Sequence, residues 1–132
     1  MTLNLLFRYP EVYKTGIAVS AVTDQRFYDN IYTERYMGLP EENDEDYKQA
    51  SPITFAKNLT GHLLYMHGTG DDNVHYKNAE VLFNELIRQG KLFNMMVYPN
   101  RSHGIFEGAG TREHLNKTFI NFLRQNCPPG AK

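Results

Sequence analysis

The 132-residue chain predicts an α/β fold with about three parallel strands and flanking helices. Short apolar runs of strand length alternate with stretches of helical periodicity, which is typical of parallel strands joined by crossover helices. The length is that of one domain, and 41% hydrophobic residues are enough to form a core. No internal repeat or linker divides residues 1–132, so we predict one domain.

Each predicted element has a local signal in the sequence. The first helix covers residues 1–8 and ends before Pro10, because the residue that precedes a proline is disfavoured in the α conformation. A tyrosine-rich helix or helical turn is predicted over 27–37, and a solvated acidic loop over 41–46. The predicted strands cover residues 16–20, 62–66 and 93–98.

Two amphipathic helices complete the pattern. One is followed by Gly90, a natural helix stop, and the other ends at Pro128-Pro129-Gly130. Their apolar stripes are Ala79, Leu82, Phe83 and Leu86 in the first helix, and Leu115, Phe119, Phe122 and Leu123 in the second.

Composition argues against several classes of partner. Fourteen Lys and Arg balance fifteen Asp and Glu, so the chain has no broad basic surface for a nucleic acid or an anionic membrane. The first nine residues lack the basic start and the long apolar run of a signal peptide or a membrane span. Cys127 is the single cysteine, so no disulfide forms within the chain, and the cellular compartment stays open.

Two polar clusters follow predicted strands. Asp71 lies in the turn after the second strand, and His103 in the turn after the third. Because the carboxyl ends of parallel strands meet at one edge, we expect the two side chains to lie within hydrogen-bonding reach. The carboxylate would then fix the imidazole tautomer and stabilise its protonated form, as in a serine hydrolase. Spacing alone leaves an alternative open, in which Asp71 caps the next helix and His103 is an ordinary loop histidine.

A nucleophile is the missing part of this pattern. No Gly-x-Ser-x-Gly elbow occurs in the chain, although the triad order in α/β-hydrolases is Ser, Asp, His. The serine and cysteine side chains that are present lack the sharp turn or the position that would present a nucleophile to the histidine. They are Ser20, Ser51, Ser102 and Cys127. We therefore predict that the chain alone has no significant hydrolase activity.

Three motifs carry a resemblance to a known family. Through them, residues 1–125 resemble the C-terminal part of the catalytic domain of the dipeptidyl peptidase IV family, in the prolyl oligopeptidase group of serine peptidases. The resemblance implies that residues 1–132 are a fragment of such a domain, a partial α/β-hydrolase fold without the nucleophile-elbow half. The motifs are Phe-Tyr-Asp-Asn-Ile-Tyr-Thr-Glu-Arg-Tyr-Met-Gly-Leu-Pro at 27–40, His-Gly-Thr-Gly-Asp-Asp-Asn-Val-His at 67–75 and Ser-His-Gly at 102–104.

The resemblance implies a serine exopeptidase that releases N-terminal dipeptides, with proline or alanine in the penultimate position, by acyl transfer. Asp71 matches the triad aspartate and His103 the triad histidine. The family's nucleophile lies in a Gly-Trp-Ser-Tyr-Gly-Gly-Tyr-Met motif, whose final methionine Met1 resembles, so the serine is expected upstream of residue 1. The implied partners are peptide substrates, and the family suggests a periplasmic or secreted location.

Substrate-binding residues carry over from the same motifs. Tyr28 matches the tyrosine that lines the pocket for the penultimate side chain, and Tyr32 matches its stacking partner. Asn73 matches the residue that hydrogen-bonds the first substrate carbonyl, and Val74 the aliphatic wall of the pocket. One position departs from the family, since Gln25 stands where members usually have tryptophan.

The residues alone also allow other interpretations. Tyr28, Tyr32 and Tyr36 recur at i, i+4 and i+8, which is typical of a helix face packed in a core. His67 and Asp71 recur with His75 at four-residue intervals, as metal ligands on a helix would, but two intervening glycines disfavour that helix. The acidic loop lacks the spacing of a calcium site. We therefore expect no metal and no cofactor.

Two rival functions stay open. One is another α/β-hydrolase, such as an acylaminoacyl peptidase, an endopeptidase or an esterase, against which the tyrosine-rich segment argues. The other is a noncatalytic interaction domain with a vestigial acid and base, which the missing elbow supports.

The 16–20 strand predicts an interaction between copies of the chain. In the parent fold this strand would pair with the strand that leads into the elbow, and that strand is not in the sequence. Unpaired N–H and C=O groups would then form an exposed edge. We expect self-association through this edge or through the 1–8 helix.

Overall fold

The computed structural model describes residues 1–127 and 129–130, which form one parallel sheet in the order β1-β2-β3. The strands are β1 (Thr15–Val19), β2 (His62–Gly68) and β3 (Asn94–Tyr98). The α-helices are α1 (Thr2–Arg8), α2 (Asn30–Met37), α3 (Asp44–Ala50), α4 (Lys77–Arg88) and α5 (Thr111–Asn126). Two 3₁₀ helices, Gln25–Phe27 and Pro52–Asn58, lie in the long connection between β1 and β2. The predicted α/β class and the three predicted strands are confirmed.

The central strand β2 is buried on both faces. Ala18 of β1 lies opposite Tyr65, and Met96 of β3 lies opposite Met66. Six of the seven β2 residues are buried, which explains why the strand is a continuous apolar run without polar alternation. The strands β1 and β3 form the two edges, and no strand of the described residues pairs with their outer sides.

Successive β2 side chains point to opposite faces of the sheet. Because these side chains are apolar on both faces, helices pack against each face. Leu63 and Tyr65 pack into the larger core with residues of α1 and α4. Leu64 and Met66 pack into a smaller core, to which α5 contributes Phe122. The sheet therefore has a layer of helices on each side, with both strand-end turns left at one edge.

The most regular helix is α4, whose predicted apolar stripe is buried. The helix ends at Arg88, and Gly90 follows its C-cap as expected, with a φ of 64°. The N–H of Gly90 donates to the Ile87 carbonyl at 2.9 Å, and the N–H of Lys91 donates to the Leu86 carbonyl at 2.8 Å, which closes the last turn. Pro128, the first residue of the stop predicted for α5, lies outside the described residues. The buried stripe consists of Ala79, Leu82, Phe83 and Leu86.

The acidic loop predicted over 41–46 is partly wrong, because Asp44, Glu45 and Asp46 form the first turn of α3. Carboxylates are favourable at a helix N-terminus, where the backbone N–H groups carry partial positive charge. A single side chain anchors this helix: Tyr47 is 1% exposed, and its hydroxyl donates to the Gly38 carbonyl at 2.8 Å.

The tyrosine-rich element predicted over 27–37 is split in two. Phe27 ends a 3₁₀ helix, and α2 begins only at Asn30. Asp29 causes the break, because its side chain accepts a hydrogen bond from the Ile31 N–H at 2.8 Å and caps α2. In the described part of the chain, we find no helix with the length and apolar character that a bilayer crossing requires.

Candidate active site

Asp71 and His103 meet at the carboxyl edge of the sheet. Asp71 follows β2, His103 follows β3, and His103 Nδ1 lies 2.9 Å from Asp71 Oδ2. The contact predicted from the strand ends is therefore present. The carboxylate accepts the Nδ1 hydrogen, so the His103 ring in its neutral form has Nε2 unprotonated. The ring is 43% exposed, and Nε2 has no hydrogen-bond partner among the described residues. This nitrogen is available to take a proton.

The turn after β2 holds the Asp71 carboxylate. Oδ1 accepts hydrogen bonds from the N–H groups of Asn73 at 3.0 Å and Val74 at 2.9 Å, and the residue is 3% exposed. Burial alone raises the pKa of Asp71, but the hydrogen bonds from His103, Val74 and Asn73 outweigh it and hold the pKa below its ordinary value. The alternative in which Asp71 caps the next helix is wrong, since α4 begins at Lys77 and its preceding residue gives no side-chain cap.

The turns after β2 and β3 approach each other through their main chains. The N–H of Thr69 donates to the Tyr98 carbonyl at 3.0 Å, and the N–H of Gly70 donates to the Arg101 carbonyl at 3.1 Å. A β-carbon at Gly68 would clash with the same Arg101 carbonyl. Glycine at position 68 therefore permits the approach that brings the carboxylate and the imidazole together.

The His103 turn is held by contacts on both sides. Glu107 accepts hydrogen bonds from the Ser102 hydroxyl and from the N–H groups of Ser102 at 3.3 Å and Phe106 at 3.2 Å. These hydrogen bonds hold the pKa of Glu107 below its ordinary value. Ile105 is fully buried with a φ of 49°, a left-handed conformation that is costly for a β-branched residue. The turn is thus a constrained backbone segment.

None of the predicted weak nucleophile candidates faces the free nitrogen of His103. Ser20 donates its hydroxyl to the main-chain carbonyl of His103 at 3.0 Å, while the Ser102 hydroxyl binds Glu107. Ser51 is 1% exposed and donates to the Tyr47 carbonyl at 2.7 Å. Cys127 is exposed directly after α5.

The predicted substrate-binding tyrosines lie next to the Asp71 turn. The Tyr28 hydroxyl donates to Asn73 Oδ1 at 3.3 Å, which joins two of the predicted binding residues. Tyr28 and Tyr32 meet edge to face at 5.6 Å between ring centroids, and Tyr36 lies 5.1 Å beyond Tyr32. Tyr32 is 58% exposed and Tyr36 69% exposed, so the interpretation of these rings as a core stripe is wrong.

The other two pocket positions have different surroundings. Val74 is 4% exposed, and its main-chain N–H and C=O bond to the side chains of Asp71 and His67. Gln25, which stands in place of the family's tryptophan, begins a 3₁₀ helix, and its N–H donates to Ser51 Oγ at 2.9 Å. Gln25 also lines a cleft of about 320 Å³ between the start of α1 and the end of β1.

The sequence interpretation missed a buried link behind the tyrosines. Asn78 Oδ1 accepts from the Thr23 N–H at 3.0 Å, and the Thr23 hydroxyl donates to the Asn78 carbonyl at 2.6 Å. Asn78 Nδ2 donates to the Phe27 carbonyl at 3.1 Å, which attaches α4 to the segment before the tyrosines. The available signal was an asparagine beside the apolar stripe of α4, where a buried amide must find partners.

A second missed residue is His67, the last side chain before the glycine that ends β2. It is fully buried, and its Nε2 lies 3.0 Å from Asp71 Oδ2. The sequence analysis considered His67 only as a metal ligand, because it lies four residues before Asp71, and missed its contact with the acid–base pair. Within residues 1–127 and 129–130, no three His, Cys, Asp or Glu side chains are grouped to hold a metal ion.

The chain is similar in sequence to known dipeptidyl peptidases. The model of the prolyl oligopeptidase family matches residues 1–128. A probable dipeptidyl-aminopeptidase B of Trichophyton verrucosum is 42% identical over 118 residues, which cover 86% of this chain and 13% of that protein. The dipeptidyl peptidase 4 of Bos taurus is 38% identical over 117 residues, which cover 86% of this chain and 15% of that protein.

The fold is also similar to a solved structure of this kind. The crystal structure of Porphyromonas gingivalis dipeptidyl peptidase 4 matches with a TM-score of 0.90 and 41% identity, covering 94% of this chain and 18% of that one. The predicted partial α/β-hydrolase fold is thereby confirmed. The chain spans 13% and 15% of the length of the two relatives named above. It belongs to the prolyl oligopeptidase family of serine peptidases and resembles the dipeptidyl peptidase IV members of that family.

Proposed function

We propose that the chain carries the acid and the base of a serine exopeptidase that releases N-terminal dipeptides with proline or alanine in the penultimate position. The observation that carries the proposal is the 2.9 Å contact between Asp71 Oδ2 and His103 Nδ1, with the other ring nitrogen exposed. The named dipeptidyl peptidases among the relatives support the substrate class.

In this mechanism a serine hydroxyl from outside the sequence attacks the scissile carbonyl. His103 Nε2 takes the hydroxyl proton, and Asp71 stabilises the resulting imidazolium through its Nδ1–H. The same proton then passes to the leaving amine as the peptide bond breaks, which leaves an ester between the dipeptide and the serine. Water attacks that ester with His103 again as base, and the dipeptide departs.

The tyrosine segment and the Asp71 turn would bind the substrate. Tyr28 and Asn73 are already hydrogen-bonded to each other, so a ring face and an amide lie beside the acid–base pair. The ring would contact the penultimate side chain, and the amide of Asn73 would fix the first carbonyl. Gln25 in place of tryptophan would leave one side of the pocket without an aromatic ring, which would weaken its apolar contact with proline.

The isolated chain is expected to be inactive, because the triad works as a unit and loss of the nucleophile costs about a million-fold in turnover. We place the nucleophile upstream of residue 1. The test is hydrolysis of Gly-Pro-p-nitroanilide by the chain and by a protein extended upstream with the Gly-Trp-Ser-Tyr-Gly-Gly motif, if the gene encodes it.

His103→Ala should abolish the activity of the extended protein, and His75→Ala should not, because His75 is an exposed histidine outside the pair. Turnover by the short chain that survives repurification would contradict the expected inactivity. An extended protein that folds but hydrolyses no dipeptide substrate would support a noncatalytic interaction domain instead.

We also propose that copies of the chain associate through the outer edge of β1. Val19 lies on this edge and is 38% exposed, and no described strand pairs there. Light scattering over a concentration series should show a dimer or larger species. Val19→Lys should shift it to monomer, because a charged edge residue opposes strand pairing, and Met95→Lys on the edge strand β3 is the matched control. A wild-type monomer at high concentration would contradict the proposal.

The family resemblance further leads us to propose a periplasmic or secreted location for the parent protein. Its support is the resemblance alone. Fractionation of the source cells with an antibody against the chain is the test, and a signal confined to the cytoplasm would contradict it.

A further inference from the structure

His67 is a buried titratable group that the proposed mechanism does not use. Its side chain is fully buried at the end of β2. Nε2 lies 2.8 Å from the Val74 carbonyl oxygen and 3.0 Å from Asp71 Oδ2. Nδ1 lies 3.2 Å from the Tyr65 hydroxyl. The His67 ring is therefore the buried neighbour of the Asp71 carboxylate, whereas His103 is its exposed neighbour.

The atoms around Nε2 decide which nitrogen of His67 carries the hydrogen. The Val74 carbonyl oxygen can only accept, and so can the ionised carboxylate of Asp71. Two acceptors facing one nitrogen require a hydrogen on that nitrogen. Burial lowers the pKa of His67, which favours a neutral ring with a single hydrogen. Nε2 faces two acceptors at 2.8 and 3.0 Å, whereas Nδ1 faces only the Tyr65 hydroxyl at 3.2 Å, which donates its own hydrogen to the Ala21 carbonyl. We therefore assign the hydrogen to Nε2.

The two oxygens of Asp71 then have separate partners. Oδ1 accepts the N–H groups of its own turn, at Asn73 and Val74. Oδ2 faces two imidazoles, His103 Nδ1 at 2.9 Å and His67 Nε2 at 3.0 Å. A carboxylate oxygen has two acceptor sites, so it can serve both N–H donors at once.

We propose that His67 is a positioning residue for the acid–base pair, whose Nε2–H bridges Asp71 Oδ2 and the Val74 carbonyl and so keeps Oδ2 directed at His103. The hydrogen bond from Nε2 to the Val74 carbonyl holds the ring in place, and the carboxylate would lose its 3.0 Å contact with that ring if it rotated away from His103. The use of this bridge in catalysis rests on the proposed function. The bridge itself does not.

Packing alone is the competing explanation for a histidine at this position. The His67 ring stacks on Tyr65 at 5.8 Å and meets Tyr76 edge to face at 5.6 Å. These two tyrosines, Asp71 and His103 are the titratable groups that surround it. If the ring only fills space, any side chain of similar size should serve equally well.

The test compares His67→Gln with His67→Met, which have the same length but differ in the terminal N–H donor. Asp71 is titrated through its side-chain carboxyl carbon by ¹³C NMR in the wild-type chain and in both variants. The Met variant should show an Asp71 pKa about one unit or more above that of the Gln variant, because a hydrogen bond to a charged group is lost. The Asp71 pKa of the Gln variant should stay close to that of the wild-type chain. Equal pKa values in the Met and Gln variants would overturn the proposal.

A second measurement keeps the proposal testable if His67→Met does not fold, which amide spectra of each variant will show. Long-range ¹H–¹⁵N correlation in the wild-type chain should find Nε2 of His67 protonated and Nδ1 bare at neutral pH. The opposite tautomer would overturn the bridge. Neither measurement depends on peptidase activity. A failed activity assay would therefore contradict the proposed function, whereas only the two NMR measurements decide whether His67 positions Asp71.

Discussion

The acid–base pair and the tyrosine segment lie beside each other but are held in different ways. Asp71 is 3% exposed, and the hydrogen bonds that orient it come from inside the chain. Tyr32 and Tyr36 are more than half exposed, and they contact mainly each other and Tyr28. The chain therefore fixes the contact between Asp71 and His103 by its own hydrogen bonds, whereas the exposed tyrosine rings are held mainly by one another.

The largest difference between the two regions is expected for glycine replacements. Gly68→Ala should destabilise the fold by about 3 kcal/mol, because the new β-carbon collides with main-chain atoms of the His103 turn that cannot move aside. Gly38→Ala, after the tyrosine helix, should cost less, about 1–2 kcal/mol, because the surrounding space is open and the penalty is only its backbone conformation, φ 71° and ψ −169°, which residues with a β-carbon rarely adopt. Urea unfolding followed by circular dichroism measures both. Equal costs would contradict the view that the strand-end turns are tightly packed.

A somewhat smaller loss of stability is expected when Asn78, which links α4 to the segment before the tyrosines, is replaced. Asn78→Ala should cost about 2 kcal/mol, because it leaves the buried Thr23 N–H without its partner. Asn84→Ala, at an exposed site on the same helix, should change stability by less than about 0.5 kcal/mol. The same unfolding experiment applies. A negligible loss for Asn78→Ala would show that the tyrosine segment does not depend on this link.

Acid should weaken the fold in two stages, one from the buried His67 and one from Asp71 beside it. The folded chain depresses the pKa of His67 below 6.5 and that of Asp71 below 3.8. In each case the unfolded chain takes up its proton at higher pH than the folded chain, so stability falls on acidification. The His67 contribution is lost as the pH falls below 6.5, and the Asp71 contribution as it falls below 3.8.

Urea midpoints at about pH 8, 5 and 3 measure these stages. His67→Gln should remove the first loss and Asp71→Asn the second, because each variant lacks the titrating group. Midpoints that do not change between the first two pH values in the wild-type chain would contradict a depressed pKa for His67.

The smallest change in the free energy of unfolding is expected for a substitution in the tyrosine segment. Tyr36→Ala should change the free energy of unfolding by no more than about 0.5 kcal/mol, because the ring is 69% exposed. A loss above about 2 kcal/mol, such as a core residue would show, would mean that the ring packs against a surface in solution, for instance a second copy of the chain.

The elements that could be predicted are those whose buried residues form a continuous or regularly spaced apolar pattern in the sequence. The stripe of α4 and the apolar run of β2 each follow from local periodicity, and the Asp71–His103 contact follows from the position of strand ends. The helix α3 was missed because one residue, Tyr47, anchors it, and one buried ring produces no periodic signal. His67 was missed because its partners, above all the Val74 carbonyl, come together only when the turn has folded.

The two oxygens of Asp71 have different hydrogen-bond partners, and this difference determines how an asparagine at position 71 would be oriented. In the Asp71→Asn variant the single side-chain oxygen would take the Oδ1 site, since the N–H groups of Asn73 and Val74 are fixed in the turn. The amide nitrogen would then face Nδ1 of His103 and Nε2 of His67, so the His103 imidazole would have to present a bare nitrogen there and move its proton to Nε2. A ring in that tautomer has no lone pair to offer a serine. One oxygen-to-nitrogen exchange at position 71 would therefore keep the hydrogen bonds of the Asn73 and Val74 N–H groups, but it would place an N–H donor against the buried His67 and remove the proton acceptor from His103.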